Sequence, residues 1–141
     1  MAATLRVEST LEHDGDGLAR FKILGANAEF SACIGTWAQA NEHLKLASAL
    51  KGFSAKADAS VAYRFGSTGT CELEVSCLDK LGHLGIWATF TGDWPVADSE
   101  RSQTASLFMR CDPASLDTFV TELLRFSPGS VNQASLSGLG P

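Results

Sequence analysis

At 141 residues, 45% of them hydrophobic and 19% charged, the chain carries enough apolar surface for a single domain core and lies outside the composition of disordered segments. A formal net charge of −5, with eleven Lys and Arg spread without a basic run, disfavours nucleic acid as a partner, because phosphate backbones repel it. No stretch approaches the ~20 apolar residues of a membrane span, and "MAATLRVEST" lacks the basic start and apolar run of a secretory signal, so a cytoplasmic protein without membrane contact is expected.

In chain order, Leu5, Val7, Ser9 and Leu11 share one side of an alternating run, while Arg6, Glu8 and Glu12 take the other. "DGDG" over 14–17 breaks the run, and Phe21 and Ile23 resume it, which predicts a β-hairpin. Alternation of Ala28, Phe30, Ala32 and Ile34 predicts a third strand over 27–34. From Thr36 the period changes: Trp37, Ala40, Leu44, Ala47 and Lys51 fall at three- and four-residue steps, flanked by Leu46, Leu50 and Phe53. A helix over 37–51 follows, with Thr36 as its N-cap and Gly52 as its terminator.

Three strands are then predicted over 59–65, 70–78 and 83–92, joined by the turn sequences "GSTG" and "DKLG". The middle one has the cleanest pattern, with Cys71, Leu73, Val75 and Cys77 alternating with Glu72, Glu74 and Ser76, so one face is core and the other wet. A further strand covers 103–111. Asp112-Pro113 opens a second helix, whose stripe Leu116, Phe119, Val120, Leu123 and Leu124 ends near Phe126. Residues 127–141 are Ser- and Gly-rich without periodicity and are expected as a flexible tail to a single 1–126 domain. This order, without repeated strand–helix–strand units, implies an α+β fold: a predominantly antiparallel sheet of about six to seven strands with two helices packed on one face.

Most signatures of chemistry are missing. Cys33, Cys71, Cys77 and Cys111 form no CxxC pair, and Cys71 and Cys77 stand about 20 Å apart along a strand at ~3.3 Å per residue, too far to be bridged, so free buried thiols are expected. Glu12, Asp14, Asp16 and Gly17 imitate the first half of a calcium loop, but Ile23 stands where the bidentate glutamate belongs, and a hairpin turn is the expected reading. No GxSxG, GxGxxG or GxxxxGK[ST] pattern occurs, and "GSTG" falls in a turn, so neither a cofactor nor a metal is expected and the chain reads as a non-enzyme. Glu72 and Glu74 lie about 7 Å apart on one strand face, a glycosidase-like distance. Exposed strands carry such pairs routinely. His13 and His43 are expected in solvent. His83 and Trp87 share a strand face, either as cross-strand packing under a helix, which is favoured, or as a recognition patch.

The segments "ACIGTWAQANEHLKLASAL", "CELEVSCLDKLGHLGIWATFTG" and "SLFMRCDPASLDTFVTELLRF" together resemble the WapI-type immunity proteins and related small bacterial domains, over residues 20–126. That resemblance implies a non-enzymatic antitoxin that blocks a toxin domain; it carries no contact residues over. Complementary charge would favour a basic toxin as partner. From the residues themselves, the binding surface is expected at Glu72, Glu74, His83 and Trp87, together with Asp93, Trp94, Asp98 and Glu100 of an acidic loop. Two alternatives stand beside it: a small-ligand or enzymatic pocket between sheet and helices lined by Trp37, Tyr63, Trp87 and Trp94, and a self-associating subunit or homodimer joined through a sheet edge or the second helix.

Overall fold

The computed structural model describes residues 3–53, 59–92, 103–127 and 129–139. In chain order the elements are β1 (Thr4–His13), β2 (Leu18–Ala26), β3 (Ser31–Gln39), α1 (Glu42–Leu50), β4 (Ser60–Phe65), β5 (Thr70–Cys77), β6 (Leu84–Thr91), β7 (Thr104–Cys111), α2 (Pro113–Leu124) and β8 (Asn132–Ser137). The fold is α+β, and among the described residues there are two helices and every strand pairing is antiparallel. Among the described residues eight strands form two four-stranded sheets, ordered β3-β2-β1-β8 and β4-β5-β6-β7, in place of the single sheet expected. Alternation along a strand says which side chains are buried; it does not say which strand lies alongside, and that is where the expectation failed.

Both sheets turn one face into a common core. Leu5, Val7, Phe21, Ile23, Ala134 and Leu136 enter it from the first sheet, and Leu73, Val75, Ile86, Phe90, Leu107 and Met109 from the second. The helices add Leu46, Leu50, Leu116, Phe119 and Leu123, and each large side chain so buried contributes ~1.5–3 kcal/mol of transfer free energy. Gly25 marks a close approach of the sheets. A Cβ there would stand 2.7 Å from the Phe90 ring and 3.0 Å from Leu107, so only glycine fits between β2 and the β6–β7 pair. The helices pack against each other, with α1 also on β4 and α2 on β8.

The first hairpin forms as its turn chemistry requires. Asp14 Oδ1 accepts from the amides of Asp16 (2.7 Å) and Leu18 (3.0 Å), which uses the carboxylate to close the turn. Beyond Ser9 the β1–β2 register shifts, so Leu11, expected on the core side, is exposed. The third strand also departs from expectation, because Asn27 closes a turn: its Oδ1 accepts from the amides of Glu29 and Phe30, both at 2.9 Å. Phe30 is consequently 63% exposed, and the strand begins at Ser31 and runs through Thr36 and Trp37 to Gln39.

The helical spacing of Trp37 and Ala40 was therefore coincidental. Thr36 is not an N-cap but a fully buried strand residue, paired with Phe21, whose hydroxyl donates to the Gly69 carbonyl. Its neighbour Trp37 accepts from Ser67 N (3.0 Å) and Ser67 Oγ (2.9 Å), so the end of β3 is pinned to the β4–β5 turn. Gly66, at φ 96°, has no room for a Cβ beside the Thr36 hydroxyl. The long-range pinning overrides the local period, and α1 starts only at Glu42. Gly52, at φ 71°, does follow its end. In α2 the expectation holds: Asp112 accepts from Ser115 N at 2.8 Å and Pro113 occupies the first turn.

The expected tail carries β8, which pairs with β1 from Thr4↔Ser137 to Ser9↔Asn132. Only Ala134 and Leu136 of this strand are apolar and buried, too few to announce a strand from sequence. Two of the four sheet edges, β7 and β8, take hydrogen bonds from elsewhere in the chain. The β7 carbonyls of Phe108 and Arg110 accept from Asn27 Nδ2 (3.1 Å) and Leu139 N (2.7 Å), and on β8 Ser135 N donates to Glu122 Oε1 (2.9 Å). Such contacts blunt edge-to-edge pairing.

Candidate functional site

The outer face of the second sheet brings several of the expected residues together. Register places Ala62, Glu74, Trp87 and Phe108 in one row across β4–β7, with Arg64, Glu72, Thr89 and Ser106 in the next. Trp87 is half exposed (50%), and its ring packs on Phe108 with centroids 5.0 Å apart at 48°. It is thus a cross-strand packing residue, but it lies open to solvent instead of under a helix. Glu72 pairs with Arg64 at 3.2 Å with both side chains largely in water, a contact worth at most ~1 kcal/mol. Glu74, beside Trp87, is exposed.

Sequence reasoning put Gly85 on this face with Trp87 and missed two members, Leu78 and Phe108. A Cβ on Gly85 would meet Leu78 Cδ2 at 2.8 Å and the Phe108 ring at 3.0 Å, so both side chains lie across the glycine. Leu78, Gly85, Phe108 and Trp87 thereby make an apolar strip on an otherwise polar face. The parity of "SLFMRC" held the signal for Phe108: with Leu107 and Met109 inward, Phe108 must point outward.

His83 stands apart from this strip, in the turn before β6. Its Nδ1 lies 2.6 Å from Asp79 Oδ2, while Asp79 Oδ1 accepts from the amides of Leu81 (2.9 Å) and His83 (3.1 Å). The bond with the His83 ring, aided by those amides, holds the Asp79 carboxyl below its ordinary range. One carboxylate closes the whole turn, so the role visible for His83 is in the hairpin. Asp93, Trp94, Asp98 and Glu100 lie outside the described residues.

Comparison of the chain with protein-family models, curated proteins and solved structures finds no match.

Of the aromatic pocket expected from Trp37, Tyr63, Trp87 and Trp94, the described residues do not bring Trp37 and Trp87 together. Trp37 sits on the first sheet with the Arg20 guanidinium 5.5 Å above its ring, Trp87 on the outer face of the second, and Trp94 outside the described residues. Tyr63 is half-buried, and burial with the Glu42 carboxylate beside it pushes its hydroxyl up to about 12. Of the thiols, Cys71 and Cys111 are buried, Cys77 is half-buried and Cys33 exposed. Burial, then the neighbouring carboxylates, pushes Cys71 up to about 12 and Cys111 up to about 11, which keeps both protonated and poor nucleophiles. His13 is exposed as expected. His43 is not: its ring stacks on Phe126 with centroids 5.0 Å apart at 26°, and 6.2 Å from Phe21. Burial lowers its pKa below 6.5 against the opposing pull of the Ala40 carbonyl, and its Nδ1, sealed from solvent, has no hydrogen-bond partner among the described residues.

Proposed function

We infer that this chain is a protein-binding domain that engages its partner with the outer face of β4–β7, with Trp87 as the anchor. The observation that carries this reading is the half-exposed indole, braced on Phe108 in the middle of a sheet face whose surroundings are charged and hydroxylic. A preorganised aromatic ringed by polar groups is the usual composition of an interface hot spot. Glu72 and Glu74 on that face, with the net charge of −5, suit a basic partner and association that weakens as salt rises. The immunity role, blocking a basic toxin domain, is the form of this function that the resemblance in "CELEVSCLDKLGHLGIWATFTG" and its companion segments supports.

The test is capture of the protein encoded beside this gene, by the wild-type chain and by Trp87→Ala. A partner held by the wild type and lost by the variant, which still unfolds cooperatively at a melting temperature lowered by only about 2–10 °C, is the expected result. Equal capture by both chains, or a Trp87→Ala protein that no longer folds, would defeat the assignment.

A further inference from the structure

A cleft of about 420 Å³ opens on the helix side of the molecule, between the start of α1, the segment after α2 and the adjoining ends of β1 and β2. It lies within the ~300–1,000 Å³ range of ligand sites. Phe21, His43 and Phe126 line it, with the imidazole stacked on Phe126 and tilted toward Phe21. The chain has 27 Asp, Glu, Lys and Arg residues (11 + 16), yet among the described residues none of them borders the cleft.

Its polar wall is already engaged. Asn132 Nδ2 donates to Ser9 Oγ (3.1 Å), Ser127 O (2.9 Å) and Ser130 O (3.0 Å), and its Oδ1 accepts from Ser127 N (3.1 Å). That amide holds the rim rigid and has little hydrogen-bonding capacity left for a ligand. Asn41, by contrast, precedes α1 without using its side chain as a cap, so its amide is free of that duty.

Leu44 and Leu124 complete the argument. Both belong to the apolar stripes of their helices, and both border the cleft, 43% and 49% exposed. Their stripe neighbours Ala47, Phe119, Val120 and Leu123 are buried. The fold leaves in water the two leucines that a molecule in the cleft would cover.

We propose that this cleft is a binding site for a small, uncharged, planar aromatic molecule. The molecule stacks against the His43–Phe126 pair, lies under Leu44 and Leu124, and places one hydrogen-bonding group toward Asn41. Among the described lining residues there is no Asp, Glu, Lys or Arg, and the exposed His13 imidazole stands at the rim, so the interior of the cleft disfavours a strongly ionised ligand, whose desolvation it does little to offset. A flat ring matches the aromatic floor better than a puckered one does. This site is separate from the Trp87 face and stands whether or not that face binds a protein.

Indole, cyclohexanol and benzoate serve as probes in amide-resolved NMR titrations of the full chain. Indole is expected to shift the signals of residues 41–44, 124–127 and 129–132 saturably, with cyclohexanol and benzoate at least about tenfold weaker. Leu44→Glu, a surface change compatible with the first turn of a helix, should weaken indole about tenfold or more, and Trp87→Ala should leave it unchanged. Shifts that centre on Trp87, scatter over the molecule or fail to saturate would overturn the proposal, as would equal binding of benzoate or cyclohexanol. Concentration-dependent broadening of the cleft signals without any probe would give the cleft to a second copy of the chain. The unmodified chain decides the matter by itself should Leu44→Glu not fold.

Discussion

Among the places where large apolar side chains stand in water, the outer face of β4–β7 and the helix-side cleft do so in opposite ways. On the outer face of β4–β7, Trp87 stands on a pleated surface whose inward neighbours Ile86 and Ala88 belong to the core, so the indole is braced from below and open above. At the helix side, Leu44 and Leu124 rim a hollow, and the wall of that hollow includes the buried core residue Phe21. The difference is one of attachment. A side chain on the outside of a finished sheet can be removed with the core left standing, whereas a cleft that borders the core shares its residues with the fold. Flat and braced suits a macromolecular surface; concave and aromatic suits a small molecule.

The strongest way to break this contrast is Phe21→Ala. Phe21 is fully buried and meets Phe65 edge to face with centroids 5.0 Å apart, so its loss should cost ~3–5 kcal/mol in urea unfolding. A cost under about 1 kcal/mol, below the cavity-forming range, would mean that the cleft wall is independent of the core. Thr36→Val comes next. It keeps the shape but leaves the Gly69 carbonyl without its buried donor, for a loss of ~1–3 kcal/mol measured the same way, with partner capture by the folded protein intact. Trp87→Ala should cost only about 1–2 kcal/mol, from partial burial and the Phe108 contact, and a loss as large as that of Phe21→Ala would place the indole in the fold's framework.

Acidity tests the cleft side by itself, through His43. Because burial depresses His43, the unfolded chain takes up that proton first as pH falls. The contribution of the neutral ring is fully present above 6.5 and is lost as pH drops from there toward the folded value. Thermal melts between about pH 5 and 7 should therefore show falling stability that His43→Phe flattens. Asp79 and Asp112, both held below 3.8, lose their contributions only in more acid solution, which keeps the windows distinct. The smallest effect belongs to Glu72→Gln. Its exposed pair with Arg64 should contribute less than ~1 kcal/mol, so double-mutant cycles near zero are expected even if partner binding becomes less sensitive to salt.

Legibility in the sequence followed the range of the interaction concerned. The start of α2 was readable because Asp112, Pro113 and Ser115 are neighbours and the cap is made among them. The wet face of β5 was readable because alternation is a property of one strand, and Glu72, Glu74 and Trp87 do share the outer face. Leu78 was not, since its place on Gly85 depends on how the β5–β6 turn folds back. His43 was misread because the ring that covers it, Phe126, comes from beyond the second helix.

By itself the sequence determined the elements with local causes: the first hairpin through Asp14, the capped second helix, the two-faced β5, and the α+β class that their order implies. Tertiary structure alone decided the division into two sheets, the recruitment of residues 132–137 as β8, the late start of α1 behind the buried Thr36, and the cleft between the helix ends. The physical reason is common to all of these. Side-chain periodicity records how much of each residue must leave water, while the partner it meets there is chosen by closing long loops, and no window of sequence contains both sides of that choice.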